Sequence, residues 1–348
     1  MPSVDKLSEK VFSILAKRME SKEPCGLSAG LLDLDEYLGG GWNRQELTYL
    51  VGDSGKGKSW LASYFMLQGA KWLCEHPGVR PMTGYLENMD SQVVSRVRDK
   101  QSKIPIIVLW SLEMSEIPVV VRLMTQATAM KTGMNLDSAL IKQGKYTRSG
   151  ETEEVRGERQ RALSEGYGIL HTSFGPHLYV IFNDHNVTDF RKSMDELSLK
   201  YDICLVVIDY FRLIQEAESD GSIPSAQQEK SSELKLLAKE YDTHVLSIFD
   251  INRQGQIAKK VDLRHMRGGV AAQYDADVVL MLSWGEEIKE DEHPINVHVV
   301  LTLSKNRFGQ WHQFDLTMNL MSGKIEPFYI GDHSTLPKGD EWKGDLDG

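Results

Sequence analysis

The sequence predicts an α/β fold whose core is a doubly wound, mainly parallel sheet. Two observations support this class. Short apolar segments rich in β-branched residues alternate with segments of helical periodicity along most of the chain, and a glycine-rich loop separates the first such strand from the helix after it. Alternating strands and helices are typical of a parallel sheet covered on both faces. A chain of 348 residues can bury one large core of this kind with appendages.

The strands are predicted from apolar runs and the helices from apolar residues spaced three to four apart. The predicted strands are residues 46–51, 106–110, 178–182, 203–208, 244–249, 276–282 and 297–304. The predicted helices are residues 59–73, 119–130, 187–201 and 229–241, with a loop at 221–225. We expect the sheet to be mainly parallel with an antiparallel edge.

The segments outside this pattern define the predicted domain organisation. Val4, Leu7, Val11, Leu15 and Met19 lie on one helical face, which predicts that residues 1–25 form an amphipathic linker helix ahead of a core at residues 26–330. The helix either packs on its own domain or is an arm that docks on a neighbouring subunit. Residues 76–105 are predicted to be an insertion, and the polar residues 331–348 a disordered tail.

Composition excludes several classes of protein. Cys25, Cys74 and Cys204 form no Cys-x-x-Cys pair, so neither a zinc site nor a disulfide framework is predicted. The chain contains no apolar run near the roughly 18 residues of a membrane span and no apolar signal core, which predicts a cytoplasmic protein, or one in the host cytoplasm if phage-encoded. The net charge of −10 does not favour a surface coated for nucleic acid, although a few basic residues inside a channel remain compatible with it.

One short motif is highly specific. Between a predicted strand and a predicted helix stand Gly52, Asp53, Ser54, Gly55, Lys56, Gly57, Lys58 and Ser59, the Gly-x-x-x-x-Gly-Lys-Ser pattern of a P-loop. Its glycines let backbone N–H groups turn toward phosphates at a helix N-terminus. Lys58 is predicted to reach the β- and γ-phosphates of ATP, and Ser59 to ligate Mg²⁺.

A metal at this loop needs an acidic residue from a neighbouring strand. Asp209 follows the apolar run Leu205-Val206-Val207-Ile208, so it is predicted to emerge at the carboxyl end of that strand and to hold Mg²⁺ with Ser59. Hydrolysis also needs a residue that activates or orients water. Glu113, after the strand 106–110, and Glu87, in Gly84-Tyr85-Leu86-Glu87-Asn88, compete for that role, and Glu113 is favoured because its preceding strand is more apolar.

Taken in order, the remaining motifs resemble the RecA-like ATPase domain of replicative DnaB-type hexameric DNA helicases. The resemblance covers about residues 26–313. Besides the P-loop it rests on Ser111-Leu112-Glu113-Met114-Ser115, Val207-Ile208-Asp209-Tyr210, Ile251-Asn252-Arg253, Asp262-Leu263-Arg264, Asp275-Ala276-Asp277 and Lys305-Asn306-Arg307. It implies a RecA-like P-loop NTPase core that assembles into a homo-oligomer, expected to be a hexameric ring with ATP sites between subunits.

The resemblance also implies roles for individual residues. Arg307 would be an arginine finger that reaches the γ-phosphate on the adjacent subunit, with Lys305 beside it. Arg264, Arg267 and Gly268 would lie on a loop that holds the backbone of single-stranded DNA. Movement from 5′ to 3′ and a loader or primase partner are further expectations of the resemblance.

Three features depart from the family pattern. Asp250 stands where the family usually has a glutamine that contacts the nucleotide, and a carboxylate accepts hydrogen bonds but does not donate them unless it is protonated. The segment 76–105 lengthens the spacing between Lys58 and Glu113. The resemblance does not extend to the family's large N-terminal domain, so a compact phage or mobile-element type is expected.

The favoured hypothesis is an ATP-dependent DNA helicase that translocates on single-stranded DNA in replication. The alternative is a RecA-like ATPase that binds DNA and loads or switches partners without unwinding, which Asp250 favours. A signalling ATPase of the KaiC kind fits less well, because the Arg264 and Lys305-Asn306-Arg307 motifs match helicases better.

Overall fold

A nine-stranded sheet organises the part of the chain that the structure describes. The structure is a computed structural model that describes residues 26–79, 102–215, 223–252, 263–266, 270–285, 295–307 and 309–328, with Pro81, Lys100, Gly255 and five positions before residue 20. The strands are β1 Leu47–Gly52, β2 Ile104–Ser111, β3 Leu178–Ile181, β4 Tyr201–Asp209, β5 His244–Asp250, β6 Val278–Trp284, β7 Asn296–Asn306, β8 His312–Asn319 and β9 Ile325–Pro327.

The strand order is β3-β2-β4-β5-β1-β6-β7-β8-β9. The pairs from β3 to β6 are parallel, and the pairs from β6 to β9 are antiparallel. The predicted mainly parallel sheet with an antiparallel edge is therefore confirmed, with two more edge strands than were predicted. Strand β1, which leads into the P-loop, lies between β5 and β6, so the loop has parallel neighbours on both sides.

The helices connect these strands on both faces. They are α1 Leu32–Tyr37, α2 Lys58–Glu75, α3 Glu116–Thr132, α4 Ser138–Lys142, α5 Glu153–Ile169, α6 Val187–Lys200, α7 Ile223–Glu240 and α8 Val270–Asp275. The predicted loop at 221–225 was wrong from Ile223 onward, because α7 starts there with Pro224 in its first turn, where proline is tolerated. Helix α5 was not predicted, since its buried residues are few and lie among charged ones.

The core has two halves, one on each face of the sheet. Alternate residues of the central strands point to opposite faces: Leu50 packs with α2 and α3, whereas Tyr49 and Val51 pack with α6 and α7. Both faces of the strands are buried, which explains why the strands read as continuous apolar runs rather than as alternating patterns.

A buried ion cluster lies at the edge of the sheet where the parallel strands begin. The Arg44 guanidinium donates to both carboxylate oxygens of Asp202, at 3.0 and 2.6 Å, and to the carbonyl of Asp242 at 2.6 Å. Its Nε donates to the carbonyl of Pro81 at 3.1 Å, and Lys100 Nζ lies 3.5 Å from Asp202. Pro81 and Lys100 belong to the predicted insertion at 76–105, so this cluster fixes two points of that segment to the core.

Several predicted features lie outside the described residues. These are most of the insertion with Glu87, the candidate DNA-binding residues Arg267 and Gly268, and the tail from residue 329. Of the N-terminal segment, Val4, Ser8, Val11, Phe12 and Ala16 are described, and all five are helical. No helix within the described residues is long and apolar enough to cross a membrane.

Candidate nucleotide-binding site

A cleft of about 430 Å³ opens at the carboxyl edge of the parallel strands. The P-loop after β1, Asp209 at the end of β4 and Asp250 at the end of β5 line it, together with Glu113 and Arg122 from the segment after β2. Because parallel strands end at the same edge, four chain-distant segments meet around the start of α2. Clefts at this edge are where open α/β sheets bind ligands.

The P-loop adopts a backbone conformation that requires glycine. Gly55 and Gly57 have φ angles of 74° and 93°, in the left-handed region. A Cβ at Gly57 would also collide with the Met318 sulfur, so both conformation and space select glycine there. Lys56 Nζ lies 3.8 Å above the centre of the Trp284 ring, which holds the outer side of the loop against β6.

Lys58 begins helix α2 and is almost fully buried, with 8% of its surface exposed. Its ammonium donates to the carbonyls of Gly52 at 2.9 Å and Asp53 at 2.8 Å. It also lies 3.1 Å from a carboxylate oxygen of Asp250. The three ammonium protons therefore meet three acceptors of the chain itself.

Ser59 and Asp209, the predicted metal pair, are in contact. The Ser59 hydroxyl donates to a carboxylate oxygen of Asp209 at 3.3 Å. Burial raises the pKa of Asp209, and this effect is opposed by Arg122, whose guanidinium lies 3.5 Å from the other carboxylate oxygen. The contact between Ser59 and Asp209 places one hydroxyl and one carboxylate where a hard cation beside phosphates would be held.

Glu113 lies at the mouth of the cleft, just beyond the end of β2. Its backbone N–H donates to the carbonyl of Asp209 at 3.3 Å, which attaches it to the end of β4. Its side chain is exposed. Partial desolvation and the nearby Asp209 charge raise the pKa of the Glu113 carboxyl, a direction that makes it a better proton acceptor than an ordinary surface glutamate.

Arg122 is a cleft residue that the sequence analysis did not assign. It comes from the second turn of α3, contacts Asp209, and donates to the Met114 sulfur at 2.7 Å. Its guanidinium also lies 5.3 Å from the Trp60 ring centre, on the first turn of α2. The available signal was its spacing: helical side chains lean toward the N-terminus of their helix, so an arginine two turns into α3 points back to the end of β2.

These residues fit a nucleoside triphosphate with Mg²⁺. The first N–H groups of α2 have no partner within the helix, and they face a loop shaped by glycines. Lys58 and Arg122 supply positive charge for phosphates, and Ser59 with Asp209 supplies oxygen ligands for the cation. An acidic residue in the same cleft, Glu113, is available for water.

Arg307 and Lys305 lie at the opposite edge of the sheet. The Arg307 guanidinium pairs with Asp277 at 2.9 Å and donates to the carbonyl of Tyr274 at 3.1 Å, with 43% of the side chain exposed. Asp277 precedes β6 and is bonded to Leu47, the first residue of β1. Lys305 donates to the carbonyls of Gln273 and Ala276, and burial followed by Arg307 lowers its pKa. The structure therefore does not bring these two residues to the cleft of their own chain.

Arg264, the described member of the predicted DNA-binding set, is close in the chain fold to Asp250. It lies in the short 3₁₀ turn Leu263–His265 and is exposed. Asn252, two residues beyond Asp250, donates its side-chain N–H to the carbonyl of Arg264 at 3.2 Å and its backbone N–H to that of His265 at 2.7 Å. Two hydrogen bonds thus attach this turn to the end of β5.

Comparison with known proteins identifies a family model that matches most of the chain. Residues 26–326 match the model described as DnaB-like helicase C terminal domain. Two solved structures share the fold. The ATPase domain of G40P has a TM-score of 0.70 and 19% identity, over 94% of this chain and 100% of that one. A DnaB-like replicative helicase, described with its interactions with primase, has a TM-score of 0.69 and 19% identity, over 92% of this chain and 69% of that one.

Curated relatives carry the same name in several bacteria. The replicative DNA helicase DnaB of Mycobacterium intracellulare is 29% identical over 204 residues, which are 58% of this chain and 32% of the relative. The DnaB proteins of Rickettsia prowazekii and Mycoplasma genitalium are 23% and 24% identical over 83% and 82% of this chain, and over 52% of each relative. The chain thus spans from a third to about half of the length of these relatives.

Proposed function

The chain belongs to the family of DnaB-like helicase C-terminal domains, and from this membership and the cleft we propose that it is an ATP-dependent DNA helicase of replication. We propose that it forms a homo-oligomer, a hexameric ring that moves 5′ to 3′ on single-stranded DNA. The observation that carries the proposal is the convergence of Lys58, Ser59, Asp209 and Glu113 in one cleft at the carboxyl edge of a RecA-like sheet.

The chemistry follows from the residues of the cleft. Lys58 and the N-terminus of α2 bind the phosphates and orient the γ-phosphate toward Glu113. Ser59 and Asp209 would hold Mg²⁺, which would neutralise charge on the phosphates when bound. Glu113 accepts a hydrogen bond from the attacking water and so aligns it. Arg122 keeps Asp209 in place and adds positive charge beside it.

Arg307 completes the site of the next subunit in this proposal. Support comes from its place at the edge of the sheet opposite the cleft, with nearly half of its side chain exposed. An arginine finger supplied by a neighbour makes hydrolysis depend on assembly, and Lys305 lies beside it on β7.

The N-terminal segment is proposed to be an arm between subunits. Its described positions are helical, and Val4 and Phe12 are 83% and 75% exposed, so these apolar side chains are not packed on the domain of their own chain. A short helix is marginal in water by itself, which favours a partner surface. We likewise propose residues 26–330 as the ATPase domain, and a loader or primase as a further partner.

Single-stranded DNA is proposed to bind along the turn that contains Arg264, with Arg267 and Gly268 next to it in sequence. The support is the exposure of Arg264 and its attachment to the strand that ends in the cleft. Contacts of this kind hold phosphates without reading bases.

The proposal is tested with purified protein in two assays. ATP hydrolysis should be stimulated by single-stranded DNA, and a forked duplex with a 5′ single-stranded arm should be separated in an ATP-dependent reaction. Lys58→Ala should abolish both activities while circular dichroism shows a folded chain, because no other side chain of the loop reaches the same phosphates. ATP hydrolysis at the wild-type rate by the folded Lys58→Ala variant would contradict the assignment of the P-loop.

A second candidate is a DNA-binding ATPase that switches partners without unwinding. It is favoured by Asp250, a carboxylate beside Lys58 where the resemblance leads us to expect glutamine. DNA-stimulated hydrolysis without strand separation on any forked substrate would select this second function.

A further inference from the structure

Asp250 lines the cleft and contacts the P-loop lysine. In the register of the sheet Asp250 lies directly beside Gly52, the first residue of the P-loop, because β1 and β5 are parallel neighbours. Its carboxylate oxygen is 3.1 Å from Lys58 Nζ. The other two acceptors of the ammonium are backbone carbonyls of the loop itself, which carry no net charge.

From this geometry we infer that Asp250 determines the balance between nucleoside triphosphate and nucleoside diphosphate in the cleft, by disfavouring the γ-phosphate. The inference rests on the proposed function, since it concerns the same P-loop site. It adds a specificity-determining residue that the proposed hydrolysis does not require.

The physical argument begins with the lysine. An ammonium has three protons, and here all three are directed at acceptors of the chain, so a phosphate oxygen must replace one of them. The Asp250 side chain is 21% exposed and can move toward solvent, whereas Lys58 is only 8% exposed. Asp250 is therefore the acceptor that a phosphate oxygen replaces. The carbonyls of Gly52 and Asp53 are fixed by the backbone of the loop.

The consequence differs between the two nucleotides. A γ-phosphate beside Lys58 would stand within a few ångströms of the displaced Asp250 carboxylate, and two negative charges at that separation repel strongly in a partly buried site. A diphosphate lacks the γ-phosphate and so brings less negative charge to the Asp250 carboxylate when its β-phosphate contacts Lys58. Asp250 therefore disfavours the triphosphate more than the diphosphate.

The test measures dissociation constants in the presence of Mg²⁺ for ADP and for a non-hydrolysable ATP analogue, by titration calorimetry on the full chain. Asp250→Asn keeps the shape of the side chain and removes its charge. We expect the ratio of the triphosphate to the diphosphate dissociation constant to fall on the order of tenfold, as charge repulsion over a few ångströms near a protein surface implies after solvent screening. Asp250→Ala should shift the ratio in the same direction, which separates loss of charge from any new contact of the amide.

Asp33→Asn is the matched control, since it removes an exposed carboxylate on α1, outside the residues that line the cleft. It should leave the ratio within about twofold of the wild type, the range expected for a distant surface charge. A ratio unchanged in both Asp250 variants, or a triphosphate that binds more weakly to them, overturns the inference while leaving the P-loop assignment intact. Wild-type protein that binds neither nucleotide would overturn the proposed function itself.

Discussion

The position of Arg307 predicts that it acts on a neighbouring subunit and never on its own nucleotide. Its backbone N–H is bonded to the carbonyl of Asp277, and the Asp277 N–H is bonded to that of Leu47, at 2.9 and 2.8 Å. Arg307 therefore lies at the start of β1, while the P-loop follows Gly52 at its end. Five residue steps of about 3.3 Å separate the two ends by roughly 17 Å, which exceeds the reach of one side chain.

Arg307→Ala should bind nucleotide and fold normally, yet hydrolyse ATP about 10³-fold more slowly or worse, as expected for a lost arginine finger. The fold should survive because Asp277 keeps two other partners, Lys235 and the N–H of Leu47. Arg161→Ala, which removes an exposed arginine on α5, is the matched control and should retain wild-type hydrolysis.

Mixing then distinguishes action within a subunit from action between subunits. Arg307→Ala protein keeps an intact P-loop, and Lys58→Ala protein keeps an intact Arg307. In a ring assembled at random from equal amounts, about one interface in four pairs the two intact halves in the correct order, since the contacts are head to tail. If interfaces work independently, about a quarter of wild-type hydrolysis should return.

Subunit exchange must first be shown with differently labelled proteins in light scattering or energy transfer. Exchange without any return of hydrolysis would refute independent action between subunits. Wild-type hydrolysis by Arg307→Ala alone would remove the finger assignment altogether, and with it the argument from the two edges of the sheet.

Three further predictions concern other parts of the chain. Glu113→Gln should bind ATP but hydrolyse it at least about 10²-fold more slowly, the low end for loss of a general base. The hydrolysis rate of Glu87→Gln should stay close to that of the wild type in the same steady-state assay. The reverse result would transfer the role to Glu87. Arg44→Met should lower the free energy of unfolding in urea by about 3 kcal/mol, because it leaves Asp202 buried with only part of its pairing. Adding Asp202→Leu should recover most of that loss. An Arg44→Met variant as stable as the wild type would mean that the ion cluster does not stabilise the core. Deletion of residues 1–22 should shift the assembly toward monomers in light scattering, and rings that persist without them would show that the helix packs on its own domain.

Most of the fold could be predicted from the sequence, and so could the proximity of Ser59 and Asp209. Continuous apolar runs predicted the parallel strands, because both faces of those strands are buried. The P-loop motif and the acid after Leu205-Val206-Val207-Ile208 predicted the pair Ser59 and Asp209, which the structure places in contact. Both predictions depend on local chain geometry: a strand end and a loop are defined by neighbours in sequence.

Contacts that depend on the order of the strands or on the angle between helices could not be predicted in the same way. Arg122 enters the cleft because α3 packs against α2, and the sequence gives its helical phase but not the angle between the helices. The ion pair of Asp250 with Lys58 depends on β5 lying next to β1, although the strands are almost 200 residues apart in the chain; their order in the sheet is a property of the whole topology. Helix α5 was missed because a charged helix with a narrow buried stripe carries little periodic signal.

Asp250 connects the two ends of the proposed mechanism. Its carboxylate contacts Lys58 in the cleft, and only Ile251 separates it from Asn252, whose two hydrogen bonds hold the turn that contains Arg264. Ile251 is buried and bridges to Met266 across this turn, so the segment has little freedom to absorb a movement locally. A γ-phosphate that displaces Asp250 from Lys58 would therefore move the end of β5, and that movement would reach the Arg264 turn through one residue of backbone. The carboxylate that we infer to disfavour the triphosphate would then transmit triphosphate binding to the turn that we propose binds DNA, so repulsion at Asp250 and a response at Arg264 are compatible with the proposed helicase.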